Sequence, residues 1–196
     1  MLISFEGIDG SGKTTILEKL QDSYPDIVYT QEPTETWYGD AVRRSLNEQT
    51  ADPLAELFLY TADHAAHLTD TIKPALSAGE VIISDRYIDS RYAYQSVAIN
   101  DRFSSPIEYI KEIHAPFTVM PDLTIYFDLD PEIAATRSGV TNKFEQVEFL
   151  QSVKRNYERI IAADPDRFVT VDAAQSEDDV YDEVHRILGE RITLQE

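Results

Sequence analysis

A glycine-rich loop near the beginning of the chain places the tightest constraint on its fold. Residues 7–14 read Gly-Ile-Asp-Gly-Ser-Gly-Lys-Thr and match the spacing G-x-x-x-x-G-K-[ST], between the apolar run Leu2–Phe5 and a helical pattern that opens at Thr15. Loops of this kind turn backbone N–H groups towards phosphate oxygens, and the positive end of the next helix adds its dipole field. The pattern predicts a strand–loop–helix unit that holds a nucleotide phosphate; a plain glycine turn is the alternative.

Two side chains of this loop have defined chemistry. We expect Lys13 to reach the β- and γ-phosphates of ATP, and the hydroxyl of Thr14 to complete the coordination of a Mg²⁺ that bridges the same oxygens. The loop therefore predicts ATP with Mg²⁺ as the ligand. The ATP-binding residues expected from it are Gly7, Ile8, Asp9, Gly10, Ser11, Gly12, Lys13, Thr14 and Thr15.

Strand-like and helical stretches alternate along the whole chain, which is the pattern of an α/β fold with a parallel sheet between layers of helices. Ligands of such sheets bind beyond the carboxyl ends of the strands. A length of 196 residues without repeats or linker-like stretches predicts one domain over residues 1–196. The predicted strands are Leu2–Glu6, Ile27–Thr30, Val81–Ser84, Leu123–Leu129 and Phe168–Val171.

Capping signals predict where several helices begin and end. Asp52 and Asp130 each precede a proline, and Ser176 precedes three acidic residues, so each is expected to cap a helix. Ser105 is expected to do the same, with Glu108 completing a capping box. Gly189 is expected to end the last helix.

The charge of the chain is strongly negative. Lys and Arg number 17 against 36 Asp and Glu, for a net charge of −19, which opposes binding to duplex DNA or an anionic membrane. Concentrated salt would screen the self-repulsion, so we hypothesise a salt-rich cytoplasm; an ordinary acidic protein is the alternative. Cysteine is absent from the sequence, which excludes disulfides, thiolate nucleophiles and sulfur-ligated metals. No apolar run is long enough to span a bilayer, and the strand-like start leaves no room for a signal peptide, so a cytoplasmic location is expected.

An acidic and a basic residue follow the third predicted strand. Asp85 is placed to share the Mg²⁺ shell with Thr14, and the guanidinium of Arg86 matches two phosphate oxygens. A surface ion pair is the ordinary reading of such a dipeptide. After an apolar strand, in a chain with a phosphate loop, the phosphate role is favoured.

Together these features resemble the thymidylate kinase family, over residues 5 to about 172. The resemblance implies a P-loop NTPase fold with strand order 2-3-1-4-5, transfer of the γ-phosphoryl group of ATP to dTMP to give dTDP and ADP in dTTP synthesis, and a homodimer. It rests on five stretches in order: Phe5–Thr15, Glu32-Pro33-Thr34, Tyr60–His64, Asp85–Tyr87 through Ala93-Tyr94-Gln95, and Asn142–Glu145.

The resemblance also implies how the acceptor is bound. Asp9 would accept a hydrogen bond from the 3′-hydroxyl and contact Arg86; Arg86 and Arg43, rather than Arg44, would hold the 5′-phosphate. By the same resemblance Tyr60 would stack on thymine and Tyr94 would approach the deoxyribose. Each of these side chains has a structural alternative: aromatic core for the tyrosines, a helix-start carboxylate for Asp9 and a solvated cation for Arg43.

A lid is expected at about residues 137–145, with Arg137 and Lys143 as its cations. Many family members carry more arginine there, and often Asp-Arg-Phe-Glu where this chain has Asn142–Glu145. The alternative is a surface loop with two solvated cations. The expected catalytic set is Lys13, Arg86, Asp9, Arg137 and Lys143.

Two further departures from the family fall near the expected base site. His64 stands where many relatives have an arginine that hydrogen-bonds O4 of thymine, and Arg91 stands where some have a small or amide residue. We hypothesise that His64 and Arg91 share the reading of the base. Gln31 replaces an arginine of the family and carries no phosphate contact. The structural histidines are expected to be His67, His114 and His185, and adenine is expected near residues 172–175.

Two other functions remain open on the sequence. A different nucleotide or deoxynucleoside kinase would share the phosphate loop and differ in its acceptor. An ATP-binding regulatory module would bind both nucleotides without turnover, as the sparse lid cations allow. A GTPase switch is disfavoured because Glu145 stands in place of the aspartate of its base motif and no D-x-x-G follows the second strand.

Overall fold

Five parallel strands form one sheet in the order β2-β3-β1-β4-β5, as predicted. The computed structural model describes residues 1–48, 50–137 and 143–193. The predicted α/β class and strand order are confirmed, and no strand end differs from its predicted position by more than one residue. The strands are β1 (Leu2–Glu6), β2 (Val28–Gln31), β3 (Ile82–Asp85), β4 (Leu123–Asp128) and β5 (Phe168–Asp172).

The central strands are apolar because both of their faces are covered by helices. β1 is buried along its whole length. Where a polar residue occurs inside, it has a partner: the hydroxyls of Ser4 and Thr124 lie 2.8 Å apart on neighbouring strands. The register places Phe5 beside Asp85, which brings the carboxyl end of β3 next to the glycine-rich loop.

Helices connect the strands on both faces of the sheet. Short π-helical turns lie at Leu68–Ile72 and Arg91–Gln95, and a short 3₁₀ turn at Pro165–Arg167 precedes β5. None of the described helices is long and apolar enough to cross a membrane. The helices are α1 (Lys13–Ser23), α2 (Trp37–Leu46), α3 (Pro53–His67), α4 (Lys73–Ser77), α5 (Ile88–Ser90), α6 (Ser96–Ala98), α7 (Pro106–His114), α8 (Pro131–Arg137), α9 (Lys143–Ala163) and α10 (Glu177–Thr193).

The predicted helix starts at Pro53, Pro106, Pro131 and Glu177 are all found. Carboxylate oxygens of Asp52 and Asp130 accept backbone N–H bonds at 2.7–3.0 Å, and the Ser176 hydroxyl accepts one from Asp179 at 3.2 Å. The capping box predicted at Ser105 is wrong, because that side chain makes no capping bond.

The end predicted for the last helix is also wrong: Gly189 lies inside α10, which continues to Thr193. Val180, Val184 and Leu188 form a buried face of this helix. The packing of that face offsets the helix-weakening effect of one glycine, about 1 kcal/mol.

Candidate active site

The glycine-rich loop between β1 and α1 has a backbone that only glycine adopts easily. Gly7 has a φ of +145°, and a Cβ at this position would lie 2.6 Å from the carbonyl oxygen of Phe127. Gly12, which precedes α1, has a φ of +83°. The loop therefore curls tightly at the start of a helix, the geometry that turns N–H groups towards a phosphate.

Lys13 is folded back onto this loop. Its Nζ donates to the carbonyl oxygens of Gly7 and Ile8 at 3.1 and 3.2 Å and to the hydroxyl of Ser11 at 3.1 Å. Burial, and after it the charge of the neighbouring Arg86, lowers the pKa of the Lys13 ammonium to about 7. A phosphate anion bound in the loop would favour the charged form of this side chain.

Thr14 and Asp85 are brought together by the pairing of β1 with β3. The Thr14 hydroxyl donates to Asp85 Oδ2 at 2.7 Å. A hydroxyl and a carboxylate are oxygen ligands of the kind that Mg²⁺ takes, with water and phosphate oxygens completing its shell. The described residues contain no cluster of three or more His, Cys, Asp or Glu that could hold a metal.

Arg86 follows β3 and has a φ of +63°, in the left-handed region that residues other than glycine rarely adopt. Its Nη1 donates to the carbonyl oxygen of Gly7 at 3.1 Å, and its Nη2 donates to Asp9 Oδ1 at 2.5 Å. Tyr94 Oη accepts from the backbone N–H of Asp9 at 2.9 Å, and the Tyr94 ring lies under the Arg86 guanidinium at 4.9 Å. The expected ion pair between Asp9 and Arg86 is present, and it ties the phosphate loop to the loop after β3.

Glu6, the last residue of β1, stabilises the turn that follows Arg86 through hydrogen bonds. Its buried carboxylate accepts from the backbone N–H groups of Tyr87 at 2.8 Å and Ser90 at 3.2 Å, and from Tyr157 Oη at 2.8 Å. Burial and the charge of Asp89 raise the pKa of Glu6 to about 7. Sequence reasoning missed this residue, although an acidic residue at the end of a buried strand was the available signal.

Arg43 reaches the same cavity from α2. Its Nη1 donates to the carbonyl oxygen of Pro33 at 3.3 Å and its Nη2 to Asp40 at 2.8 Å. Arg43, Lys13 and Arg86 line one cavity, whereas Arg44 is exposed on another face of the helix. This is the difference expected between the two arginines.

A second cavity, of about 380 Å³, adjoins the first and shares Asp9 and Arg86 with it. Tyr60, Tyr94 and Arg91 line it, and the Arg91 guanidinium lies 3.8 Å from the centre of the Tyr60 ring. The Tyr60 ring was expected to stack on a base. One of its two faces is therefore already covered by Arg91.

Two polar atoms at this second cavity have no hydrogen-bond partner among the described residues: Arg91 Nε and Gln95 Oε1. Arg91 is 2% exposed and Gln95 6%. Sequence reasoning missed Gln95 as a site residue, although it ends the stretch Ala93-Tyr94-Gln95. Arg91 Nε faces Glu32 Oε2 at 3.7 Å, whereas Gln95 Oε1 has no hydrogen-bond partner among the described residues.

The prediction that His64 donates to the base is contradicted. His64 is fully buried and does not line the cavity; its Nδ1 donates to Glu32 Oε1 at 2.7 Å and its Nε2 lies 3.0 Å from the hydroxyl of Thr118. Both ring nitrogens are therefore engaged inside the protein. Of the two residues expected to read the base, only Arg91 reaches the cavity.

The other histidines have the structural surroundings expected of them. His67 bonds to the same oxygen of Glu32 at 2.9 Å. His114 donates to the carbonyl oxygen of Ile110, and burial lowers the pKa of its ring to about 4. His185 packs against the ring of Tyr24.

Arg137, the last residue of α8, bridges two loops. Its Nη1 donates to the carbonyl oxygens of Gly10 at 3.4 Å and Ala173 at 3.2 Å, so it joins the phosphate loop to the loop where adenine is expected. Of the lid predicted at 137–145, residues 138–142 and the side chains of residues 143–145 lie outside the described part of the structure. The backbone of residues 143–145 begins α9.

A phosphate-binding loop at the end of the central strand, beside a cavity lined by arginines, defines a nucleoside monophosphate kinase, a transferase. A model of the thymidylate kinase family matches residues 5–184, and the chain belongs to this family.

Similar relatives include several archaeal proteins that share one name, probable thymidylate kinase. The protein of Halorubrum lacusprofundi is 58% identical over 97% of this chain and 98% of its own length. That of Halobacterium salinarum is 51% identical over 98% and 97%, and that of Methanosarcina mazei is 50% identical over 91% and 90%.

Proposed function

We propose that this protein transfers the γ-phosphoryl group of ATP to dTMP, giving dTDP and ADP. The observation that carries the proposal is that the two cavities meet at Arg86 and Asp9. A donor phosphate on the glycine-rich loop and an acceptor in the second cavity would then face each other across one guanidinium. The family and the names of the relatives support dTMP as the acceptor.

The donor side uses residues 7–15. Their backbone N–H groups would bind the phosphates, and Lys13 would exchange its loop carbonyls for the β- and γ-phosphate oxygens. Thr14 and Asp85 would hold Mg²⁺, which when bound neutralises charge on these phosphates. The proposed lid cations, Arg137 and Lys143, would close over the γ-phosphate and exclude water.

The acceptor side uses the shared and the second cavity. Arg86 and Arg43 would bind the 5′-phosphate, Asp9 the 3′-hydroxyl and Tyr94 the deoxyribose. Tyr60 and Arg91 would contact the base. Arg86 suits this position because its planar donors match two phosphate oxygens at once.

The transfer itself needs no covalent intermediate on the protein. An oxygen of the acceptor 5′-phosphate forms a bond to the γ-phosphorus, the bond from that phosphorus to the β–γ bridging oxygen breaks, and ADP leaves with the electron pair. Negative charge spreads over the equatorial oxygens of the transferred group, so positioned cations are the main requirement. Lys13 and Arg86, which both donate to the carbonyl oxygen of Gly7, would supply them beside the loop.

We also propose that the protein acts as a homodimer in a salt-rich cytoplasm. Trp37, Leu46 and Phe58 on α2 and α3 are exposed large apolar side chains, and Trp37 is 68% exposed. The family resemblance implies the homodimer, and these exposed side chains are candidates for its interface. The net charge of −19 and the relatives from Halorubrum and Halobacterium support the salt-rich setting.

The test is an ADP-release assay with MgATP in molar KCl, comparing dTMP, dUMP, dCMP, thymidine and no acceptor. We expect preferential turnover of dTMP. Arg86→Lys is expected to lower kcat/KM for dTMP about 100-fold because the two-oxygen contact is lost. The control Arg44→Lys, on the exposed face of α2, should stay within about twofold of the unchanged protein.

Two results would contradict the proposal. Preference for another acceptor would assign a different kinase activity. Binding of both ATP and dTMP without turnover would favour the regulatory module.

A further inference from the structure

A buried group of side chains lies directly behind Arg91. Glu32 follows β2 and is 3% exposed; its Oε1 accepts from His64 Nδ1 at 2.7 Å and from His67 Nδ1 at 2.9 Å. Its second oxygen, Oε2, lies 3.7 Å from Arg91 Nε. We call Glu32, His64 and His67 the carboxylate network. It joins the end of β2 and helix α3 to the π-helical turn that carries Arg91.

The carboxylate of Glu32 is held in its ionised form although the side chain is almost fully buried. Burial alone would raise the pKa of Glu32, but the charge of His64 and the hydrogen bonds from His64 and His67 outweigh burial and hold that pKa well below its usual range. The outer nitrogens of the two rings are satisfied as well, by Thr118 at 3.0 Å and Thr30 at 2.7 Å. The network is therefore complete on the side away from the cavity.

Arg91, in contrast, lacks hydrogen-bond acceptors among the described residues. A guanidinium has five N–H donors. The described residues offer it one carboxylate oxygen at 3.7 Å, too far for a hydrogen bond, and the face of Tyr60. Burying an arginine in this way is costly unless its donors find acceptors. The cavity that it lines with Gln95 is where a ligand would supply them.

We propose that the carboxylate network is a positioning device that holds Arg91 flat on Tyr60 and thereby makes the enzyme select 4-oxo over 4-amino pyrimidine nucleotides. This inference rests on the proposed function and adds a basis for its specificity. Glu32 attracts the Nε side of the guanidinium, and Tyr60 fixes its plane, so the remaining donors are presented to the base cavity.

The selection follows from the chemistry of the base edge. Arginine only donates, so it pairs with O4 of thymine or uracil. The amino group of cytosine would point its own hydrogens at the same donors and leave a buried cation unpaired. Gln95 Oε1, which is also without a partner among the described residues, can accept the N3–H that 4-oxo pyrimidines carry and cytosine lacks. The 5-methyl group plays no part, so this device does not separate dTMP from dUMP.

The experiment measures kcat and KM of the full chain for dTMP, dUMP and dCMP in molar KCl. The test variant is Glu32→Gln, which keeps the size of the side chain and removes its charge. We expect KM for dTMP to rise about tenfold with kcat nearly unchanged, and the dTMP-to-dCMP ratio of kcat/KM to fall about tenfold. The dTMP-to-dUMP ratio should not change.

Asp89→Asn is the matched control. Asp89 is also fully buried and pairs with an arginine, Arg167, at 2.6 Å, but it lines neither cavity. We expect this variant to lower the melting temperature and leave both ratios as they are. Because each ratio compares substrates on the same preparation, a reduced fraction of folded protein does not affect it.

Two further variants separate the possible failures. Arg91→Met should lower the dTMP-to-dCMP ratio at least as much as Glu32→Gln, and adding Glu32→Gln to it should lower the ratio no further. If Glu32→Gln does not fold, His67→Gln, which alters one partner of the carboxylate, should move the same ratio in the same direction by a smaller factor.

A lowered ratio in Arg91→Met with an unchanged ratio in the network variants would overturn the positioning role. Unchanged ratios in all of them would overturn base reading by Arg91. Neither result touches the proposed function, which is decided by whether the unaltered protein turns over dTMP in preference to the other acceptors.

Discussion

Glu6, Lys13 and Glu32 are ionisable side chains that are almost fully buried. Glu6 ends β1, Glu32 follows β2, and Lys13 begins α1 after the glycine-rich loop. Burying such a group costs free energy unless hydrogen bonds and opposite charges compensate. Glu6 accepts from Tyr87 and Ser90, and Lys13 donates to three loop oxygens. The site is therefore organised before any ligand binds.

Glu6 predicts a pH dependence of stability. Its pKa is raised from 4.5 to about 7 in the folded protein, so its contribution to stability is fully present below pH 4.5 and is lost as the pH rises through 7. Glu6→Gln stays neutral. Between pH 5 and 8 we expect the free energy of unfolding to fall less for Glu6→Gln than for the unchanged protein. The difference between the two falls should be at most about 3 kcal/mol.

Urea titrations at constant KCl measure this difference. Glu112→Gln, at an exposed position on α7, is the control and should follow the unchanged protein at every pH. Parallel pH curves for Glu6→Gln and the unchanged protein would refute the expectation.

Among the elements, the π-helical turn Arg91–Gln95 between α5 and α6 decides which side chains reach the second cavity. The wider turn leaves backbone carbonyl groups available for side-chain hydrogen bonds. The side-chain amide of Asn156 in α9 donates to the carbonyl oxygen of Ala93 at 3.0 Å. Ser96 donates to the carbonyl of Tyr92 in the same turn. Such turns are frequent at functional sites. No residue pattern in this stretch predicted one.

Helix α2 predicts an unusual sensitivity to one methyl group. A Cβ on Gly39 would lie 1.8 Å from the carbonyl oxygen of Thr34, so Gly39→Ala must push α2, with Arg43, away from the loop after β2. We expect a loss of about 2 kcal/mol in stability and a raised KM for dTMP. Gly189→Ala is the matched control, because a Cβ there meets its nearest atom at 3.9 Å.

Thermal melting and steady-state kinetics in molar KCl compare the two variants. Gly189→Ala should be as stable as the unchanged protein or up to about 1 kcal/mol more stable. Equal behaviour of the two variants would mean that α2 accommodates the methyl group without moving.

For the whole molecule, the distribution of charge matters more than any single pair. Ion pairs such as Lys19 with Glu177 and Arg186 with Glu190 are exposed, and exposed pairs contribute little each. With 36 acidic residues against 17 basic ones, most surface carboxylates cannot find a cation in the protein. Repulsion among them opposes the compact state in dilute buffer.

This excess charge predicts stabilisation by salt. We expect the melting temperature to rise from low to molar KCl, with most of the rise below about 1 M, where the screening length has already fallen to about 3 Å. Sucrose at matched osmolality is the control, because it is excluded from the protein surface but does not screen charge. A flat KCl series, or an equal rise in sucrose, would refute the screening explanation.

The sequence by itself determined the α/β class, the strand order through the family resemblance, and the position of the phosphate loop. The class and the position of the loop follow from local patterns, because an apolar run, a glycine spacing and a capping residue act on their own neighbours along the chain. The strand order came from the resemblance alone. The nearness of Asp85 to Thr14 was also predictable, because both follow strands of one parallel sheet.

Only the tertiary structure decided which side chains of a helix point into the site and which point into the core. It buried His64 against Glu32 and Thr118, and it turned Arg91 onto Tyr60. It also carried α10 past Gly189, because packing of the whole helix outweighs one residue's propensity. In each case the deciding partner is distant in sequence, so no local pattern of residues could reveal it.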